Sequence, residues 1–367
     1  MTPWEAIDER DERQEQSGTM RSPSTGTVED SSSALFPGGH SGHPPGSTSV
    51  EGLRMVRQFT HEPVMVQEVV DLFAPVPPGV VVDATLGGGG HSAALLAAHP
   101  HVTVLGLDRD PDALAAATLA LAPFGDRATV MHARFGDLAR IAATSGGPSG
   151  LSGVLFDLGV SSPQLDRADR GFSYRSSGPL DMRMDQTTGE SALHIVNGAS
   201  EEALVDLFVA NGEGRLARRI ARAIIAARPL STTGELADVV VTAVPAAARR
   251  RGHPARRVFQ AIRIAVNDEL DELAAAIPAA LSSLAVGGRC VTIAYHSGED
   301  RLAKRVFADA ASGGCTCPPG LPCVCGARPE HRLVYRGSKK ASALEVARNR
   351  RAESARLRAI ERIAAPR

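Results

Sequence analysis

Three groups of residues have the types and spacing of ligand-binding or reactive chemistry. The first is Gly87-Gly88-Gly89-Gly90-His91-Ser92, which interrupts the apolar run Val80-Val81-Val82-Asp83 and precedes an Ala/Leu segment of helical character. Glycines after a strand let backbone approach a ligand closely, and the helix opening behind them offers unpaired N–H groups. The second is Asp108, about 20 residues further on at the end of Val102–Leu107, where a carboxylate accepts from both hydroxyls of a ribose. The pattern predicts a nucleoside lying over the glycines. A flexible loop, and for Asp108 a cap on the helix starting at Pro111, are the plain alternatives. Ser92 stands where the dinucleotide fingerprint has its last glycine, so the loop alone leaves dehydrogenase and methyltransferase chemistry open.

The third group, Asp157-Leu158-Gly159-Val160-Ser161-Ser162-Pro163-Gln164, follows the apolar run Leu151–Phe156. In a doubly wound sheet, residues just past a strand's carboxyl end face the ligand crevice. Asp157 is expected beside the nucleoside, with Ser161, Pro163 and Gln164 on the loop over it. The loop resembles the polar-Pro-Pro-aromatic motif of amino-methyltransferases, in which a side-chain oxygen and a main-chain carbonyl hold an exocyclic amine. Acceptors on the two amine hydrogens favour a pyramidal, nucleophilic nitrogen able to attack a sulfonium methyl. The second proline and the aromatic are absent, and an ordinary strand-to-helix turn fits the loop equally well.

The elements that must position these groups alternate. Helices are expected at Val66–Phe73, His91–Ala98 and Pro111–Leu121, and strands at Val80–Asp83, Val102–Asp108, Ala128–His132 and Leu151–Asp157, which predicts a parallel doubly wound sheet. Between about 166 and 275 the pattern is helical only (Glu201–Val209, Arg215–Ala227, Thr233–Val244, Val258–Ala276), and a strand resumes at Arg289–Tyr295. The expected organisation is a disordered extension over 1–54 and a first α/β part over 55–165. A helical insertion over 166–275, the last strands with a Cys-rich loop over 276–347, and a basic tail over 348–367 complete it. Met55 directly precedes the first ordered-looking sequence and suggests a translation start there.

With Lys+Arg 40 against Asp+Glu 41, net charge selects no partner class. No apolar run reaches the roughly 18–20 residues of a membrane span, and no secretory signal precedes the first strand, so a cytoplasmic protein with no membrane partner is expected.

Taken in order from about His61 to Ala347, the motifs are similar to those of the ribosomal RNA small subunit methyltransferase H family. They are His61-Glu62-Pro63-Val64, Gly88–Ser92, Asp108–Pro111, Asp157–Leu165, Arg170–Ser173, Gly178–Asp185, His253–Ala255, Phe259–Arg263, Val266-Asn267 and Tyr295–Ser297. The resemblance implies an α/β, Rossmann-like class I methyltransferase sheet with a helical insertion domain. It implies N4-methylation of a cytosine in the decoding region of 16S rRNA, with S-adenosylmethionine as cofactor and the small ribosomal subunit as partner. Matched by position, the cofactor contacts would be Gly89, Gly90, His91, Asp108, Phe135, Asp157 and Gln164, and the catalytic loop Asp157, Ser161 and Pro163. A DNA amino-methyltransferase and a non-catalytic RNA-binding assembly factor are the alternatives, and the reading admits a homodimer.

Basic residues cluster where acidic ones are sparse. Arg215, Arg218, Arg219 and Arg222 form one helical stripe, and Arg256 and Arg257 a second group. One stripe is ordinarily a solvated face, but several in one chain favour phosphate. With His296, which follows a strand end, these are the RNA candidates, and a hydrogen-bonded structural histidine is the alternative for His296. Arg183, which reads as part of a paired-charge loop with Asp181 and Asp185, joins them only through the family resemblance. Cys315, Cys317, Cys323 and Cys325 suit tetrahedral Zn, although one-residue spacing strains chelation by each pair. A zinc knuckle, a reduced thiol loop and an oxidised pair all remain open.

Overall fold

β-Branched and Leu-rich runs, most deeply buried in the central strands, assemble into a single sheet. A computed structural model describes residues 63–249, 252–318 and 324–364. The expectations for 1–54, Met55, His61-Glu62 and Cys323 lie outside the described residues. Phe59–Arg367 forms one compact unit.

In chain order the elements begin α1 (Val66–Phe73), β1 (Gly79–Asp83), α2 (Gly90–Ala98), β2 (Val102–Asp108) and α3 (Pro111–Leu121). Next come β3 (Ala128–His132), α4 (Leu138–Ser145), β4 (Leu151–Asp157) and α5 (Ser162–Asp166). The helices α6 (Ala192–Gly198), α7 (Glu201–Ala210), α8 (Ala217–Ala226), α9 (Thr233–Ala243), α10 (Ala246–Arg249), α11 (Ala255–Val266) and α12 (Glu269–Ser283) follow. The chain closes with β5 (Leu284–Ala294), α13 (Ser297–Ser312), β6 (His331–Leu333), α14 (Ala343–Arg348) and β7 (Arg356–Arg362).

The strand order is β3-β2-β1-β4-β5-β7-β6. β1 to β5 pair in parallel, whereas β7 is antiparallel to both β5 and β6. This is a Rossmann-like α/β fold. One sheet face carries Leu138, Ile141, Leu273, Ile277 and Phe307 from α4, α12 and α13. The other carries Val69, Phe73 and Leu95 from α1 and α2. Local signals set the boundaries: Asp110 caps α3 by accepting from Asp112 N–H at 3.0 Å, with Pro111 at the first position. Thr232 and Glu235 form a capping box on α9.

Between β4 and β5 the chain is helical. α11 packs against α6, α7 and α9, and α8 against α7 and α9; Phe208, Ile220, Ile224, Leu236, Val258 and Ile262 are buried there.

Three expectations are corrected. The helix expected over Val258–Ala276 is two helices, broken where Asp268 takes φ 51° and the Asn267 amide donates to Arg263 O. An Asn that satisfies nearby carbonyls competes with helix continuation, yet the apolar periodicity runs across the break. The last parallel strand starts at Leu284 rather than Arg289, because a register shift against β4 absorbs Val286-Gly287-Gly288. The described part of the expected 348–367 tail, residues 348–364, is not a tail: Arg356–Arg362 is β7, inserted between two strands, with Leu357 and Ile360 fully buried. Its arginines hid the period-two pattern, since Arg358 pairs with Asp300 and the buried Arg362 donates to the Leu284 carbonyl.

Candidate active site

The carboxyl ends of β1, β2 and β4 open into a cavity of about 500 Å³. Its floor is the glycine loop. Gly89 sits at the amino end of α2 with φ 80°, which favours glycine. A Cβ on Gly90 would lie 2.3 Å from Pro63 Cγ, so only glycine lets the segment before α1 pass that close. Beneath the loop, the buried Asp83 accepts from Ser92 Oγ at 2.7 Å and from Thr85 N–H at 3.3 Å. Burial raises its pKa, and the Ser92 hydrogen bond opposes that shift.

Asp108 ends β2 at the cavity wall. Oδ2 accepts from Gly87 N–H at 2.8 Å and Oδ1 from Asp110 N–H at 2.9 Å. Burial nevertheless pushes its carboxyl up to about 6, with Asp110 and Asp83 adding like-charge repulsion against the two N–H bonds.

Asp157 ends β4 on the other side of β1. Its own N–H donates to Thr85 Oγ1 at 2.6 Å. Oδ1 accepts from the Tyr295 hydroxyl at 2.9 Å, and Oδ2 lies 3.3 Å from His91 Nε2. Burial disfavours a charged His91, but the Asp157 hydrogen bond and the Asp157 and Asp83 charges prevail and hold its pKa above the ordinary histidine value. Burial first, then Asp157, raises the Tyr295 hydroxyl well above its ordinary range, so it stays a donor. The Tyr295 hydrogen bond holds the carboxylate toward the cavity, with the His91 ring facing its other oxygen.

The loop after β4 is fixed by a buried polar network. Gln164 accepts from Ser161 N–H at 2.9 Å and donates to Asp110 Oδ2 at 2.8 Å. Arg170, 2% exposed, donates to the same Asp110 oxygen at 2.9 Å and to Met184 O at 2.8 Å. Asn267 then ties that segment to α11, accepting from Met184 N–H and donating to Met182 O, both at 2.8 Å. Arg263 of α11 meets Glu269 through two bonds of 2.8 and 2.7 Å, and both residues line the cavity. The helical segment therefore supplies a wall of the same cavity.

The sequence profile of the MraW methylase family matches residues 58–363. The chain belongs to this family. Its relatives include the ribosomal RNA small subunit methyltransferase H of Thermobifida fusca, 51% identical over 314 residues, covering 83% of this chain and 94% of the relative. The protein of that name from Heliobacterium modesticaldum is 48% identical over 311 residues, covering 83% and 99%. The one from Mycobacterium tuberculosis is 48% identical over 320 residues, covering 83% and 80%.

In this MraW-family chain, the cavity brings together Gly90, His91, Asp108, Phe135, Asp157, Ser161, Pro163, Gln164 and His296. Phe135 stands edge-on to Phe156 at 6.2 Å between centroids. Gly89 is the one glycine of the loop that does not line the cavity; a Cβ there would face Leu121 and Ala117 of α3. Ser161's carbonyl already accepts Leu165 N–H at 3.3 Å. His296 caps α13, with Nδ1 accepting from Gly298 N–H at 3.1 Å and Nε2 3.0 Å from Glu299.

Arg183 lies outside the cavity and chelates Asp181 in its own loop. Arg215, Arg218, Arg219 and Arg222 are exposed on the insertion, with Arg218 and Arg222 sharing Glu201. Arg256 and Arg257 are exposed at the start of α11, and Arg257 reaches Glu213 at 3.3 Å. Among the described residues, the Cys315, Cys317 and Cys325 sulfurs lie within 4.8 Å of one another, away from this cavity. No helix among the described residues is long and apolar enough to cross a membrane.

The sequence reading missed Asp83, Asp110, Arg170, Arg263, Glu269 and Tyr295 as site-forming residues. Tyr295 directly precedes the His296 it did single out. Asp110, Arg170 and Arg263 lie inside motifs quoted above, but their pairings appear only in the fold: Arg170 meets Asp110 across 60 positions and Arg263 meets Glu269 across 6.

Proposed function

We propose that this chain transfers the methyl group of S-adenosylmethionine to the N4 amine of a cytosine in the decoding region of 16S rRNA. The carrying observation is that Asp108 and Asp157, on the strands flanking β1, face one cavity with the glycine loop between them. The chain's family and the names of its relatives support the same chemistry.

The residues suit the cofactor. The cavity volume lies within the roughly 300–1,000 Å³ of small-molecule sites. His91 Nδ1 is buried without a hydrogen-bond partner among the described residues. When bound, S-adenosylmethionine supplies a methyl group made electrophilic by its positively charged sulfur. Asp108 would accept the ribose hydroxyls, Gly90, His91 and Phe135 would contact the rest, and Gln164 would hold the loop over it.

Asp157 accepts from the cytosine amine, drawing the nitrogen lone pair out of conjugation with the ring. Tyr295 and His91 keep that carboxylate from rotating. Ser161 and Pro163 close the loop over the base. Alkylation makes the nitrogen strongly acidic, so its proton passes to Asp157 or to water without a dedicated strong base. The target base is flipped or unpaired, because its amine must reach Asp157, whose side chain is largely buried.

The exposed arginines of the insertion receive phosphates, and RNA affinity is expected to fall steeply with added salt. We assign the reaction to the cytoplasm. The four clustered cysteines are proposed to hold one structural Zn, since three sulfurs within 4.8 Å suit tetrahedral ligation; metal analysis finding less than stoichiometric Zn in the purified protein refutes this. The function is tested by offering labelled cofactor with unmodified small subunits or with DNA, then mapping the methylated nucleotide by mass. N4-methylcytidine in 16S rRNA is expected, and its absence refutes the proposal; near-normal turnover by Asp157→Ala refutes the role given to Asp157.

A further inference from the structure

Outside the cavity, two aromatic rings far apart in sequence stack at the surface of the helical segment. Tyr174 and His253 have centroids 4.4 Å apart and planes inclined by 20°. Phe259, buried in α11, meets Tyr174 edge-to-face at 5.8 Å and anchors it to the core. His253 Nδ1 accepts from Ala255 N–H at 3.3 Å, which fixes the imidazole at the start of α11. His253 itself is exposed. A flat π-surface is thus held rigidly from beneath.

Its surroundings are cationic. Arg175 lies with its guanidinium 5.8 Å from the Tyr174 centroid, and Arg256 and Arg257 are exposed one turn beyond His253. Arg256, Gln260 and Arg263 fall at i, i+4 and i+7, one helix face, and the last two line the active cavity. From Ala255 to Gln260 that face spans about 8 Å. A stacked strand, at about 3.4 Å per nucleotide, covers it in roughly two to three nucleotides.

We propose that the His253–Tyr174 stack is a subsite for an unpaired nucleobase of the RNA strand flanking the target cytosine, with Arg175 and Arg256 taking its phosphates. The inference rests on the RNA methyltransferase reading above. Aromatic faces capture bases with little sequence preference, since every base has a π-face. The subsite therefore holds the strand in register while the cavity selects the base.

The test is methylation of unmodified small subunits by the full chain and its His253→Ala and His253→Phe variants, with Tm recorded for each. A lost stack of roughly 1–3 kcal/mol predicts that His253→Ala raises KM about 5- to 150-fold, with kcat unchanged at saturation. His253→Phe keeps the ring but lacks the Nδ1 acceptor, so it stays near wild-type KM if stacking is the role. An unchanged KM in His253→Ala overturns the subsite while the methyltransferase reading stands. Equal impairment of both variants also overturns it, because that is the signature of a lost helix cap. A wild-type chain that methylates no subunit overturns both.

Discussion

Cofactor affinity should depend on pH through Asp108. Its carboxyl, at 3.8 in an unfolded chain, is pushed up to about 6 in the fold by burial and by its acidic neighbours. That separation corresponds to roughly 3 kcal/mol favouring the protonated form in the apoprotein. A raised acid stabilises the fold fully below its unfolded value, and this contribution is lost as pH rises through about 6. Ribose hydroxyls donate, so binding needs the carboxylate and draws its proton away. At pH 5 about ten molecules are protonated for each ionised one, which weakens binding about tenfold relative to pH 7.5 and above. Calorimetry of the chain with S-adenosylhomocysteine from pH 5 to 8, in buffers of different ionisation heat, reads both the affinity and the proton released. Asp108→Asn, with Tm checked, should bind weakly and flatten the profile, which separates Asp108 from His91. A wild-type affinity constant across this range, or Asp108→Asn with wild-type affinity, would refute the reasoning.

Tyr295→Phe removes the donor to Asp157 Oδ1 and should lower kcat about 10- to 150-fold, from roughly 1.5–3 kcal/mol for a bond to a charged group. Cofactor affinity should barely change, as calorimetry would show. Arg170→Ala strands the buried Asp110 carboxylate and frees the Met184 carbonyl; a loss of about 3–5 kcal/mol in urea unfolding is expected. A chain ending at Ala355 lacks β7, exposes the β5 edge and leaves β6 unpaired. It should show neither cooperative unfolding nor slow amide exchange, and a native-like melt would contradict the assignment of β7 as an interior strand.

The α/β half was legible because its signals are local. β1 to β4 are short apolar runs ended by an acidic residue or a turn, and α3 announces itself with Asp110-Pro111. The cavity's position followed from those strand ends, and Asp108, Asp157 and His91 were found by adjacency to them. β7 was illegible because its arginines find carboxylates and carbonyls only after folding. The break at Asn267 was illegible because the apolar periodicity runs across it, and the amide's bond to Met182 O, 85 positions away, forms only in the fold.

The sequence alone therefore determined the alternation from β1 to β4, the family resemblance and the residues at the carboxyl edge, since each depends on neighbours a few positions away. Only the tertiary structure decided that Tyr295 grips Asp157 across 138 positions and that Arg170 and Gln164 converge on Asp110. It also revealed that Tyr174 and His253 share a surface. The physical reason is common to all three. A buried charge or an aromatic face is stabilised by whatever group the fold brings within about 3–5 Å, and that partner's place in the chain leaves no period or spacing to read.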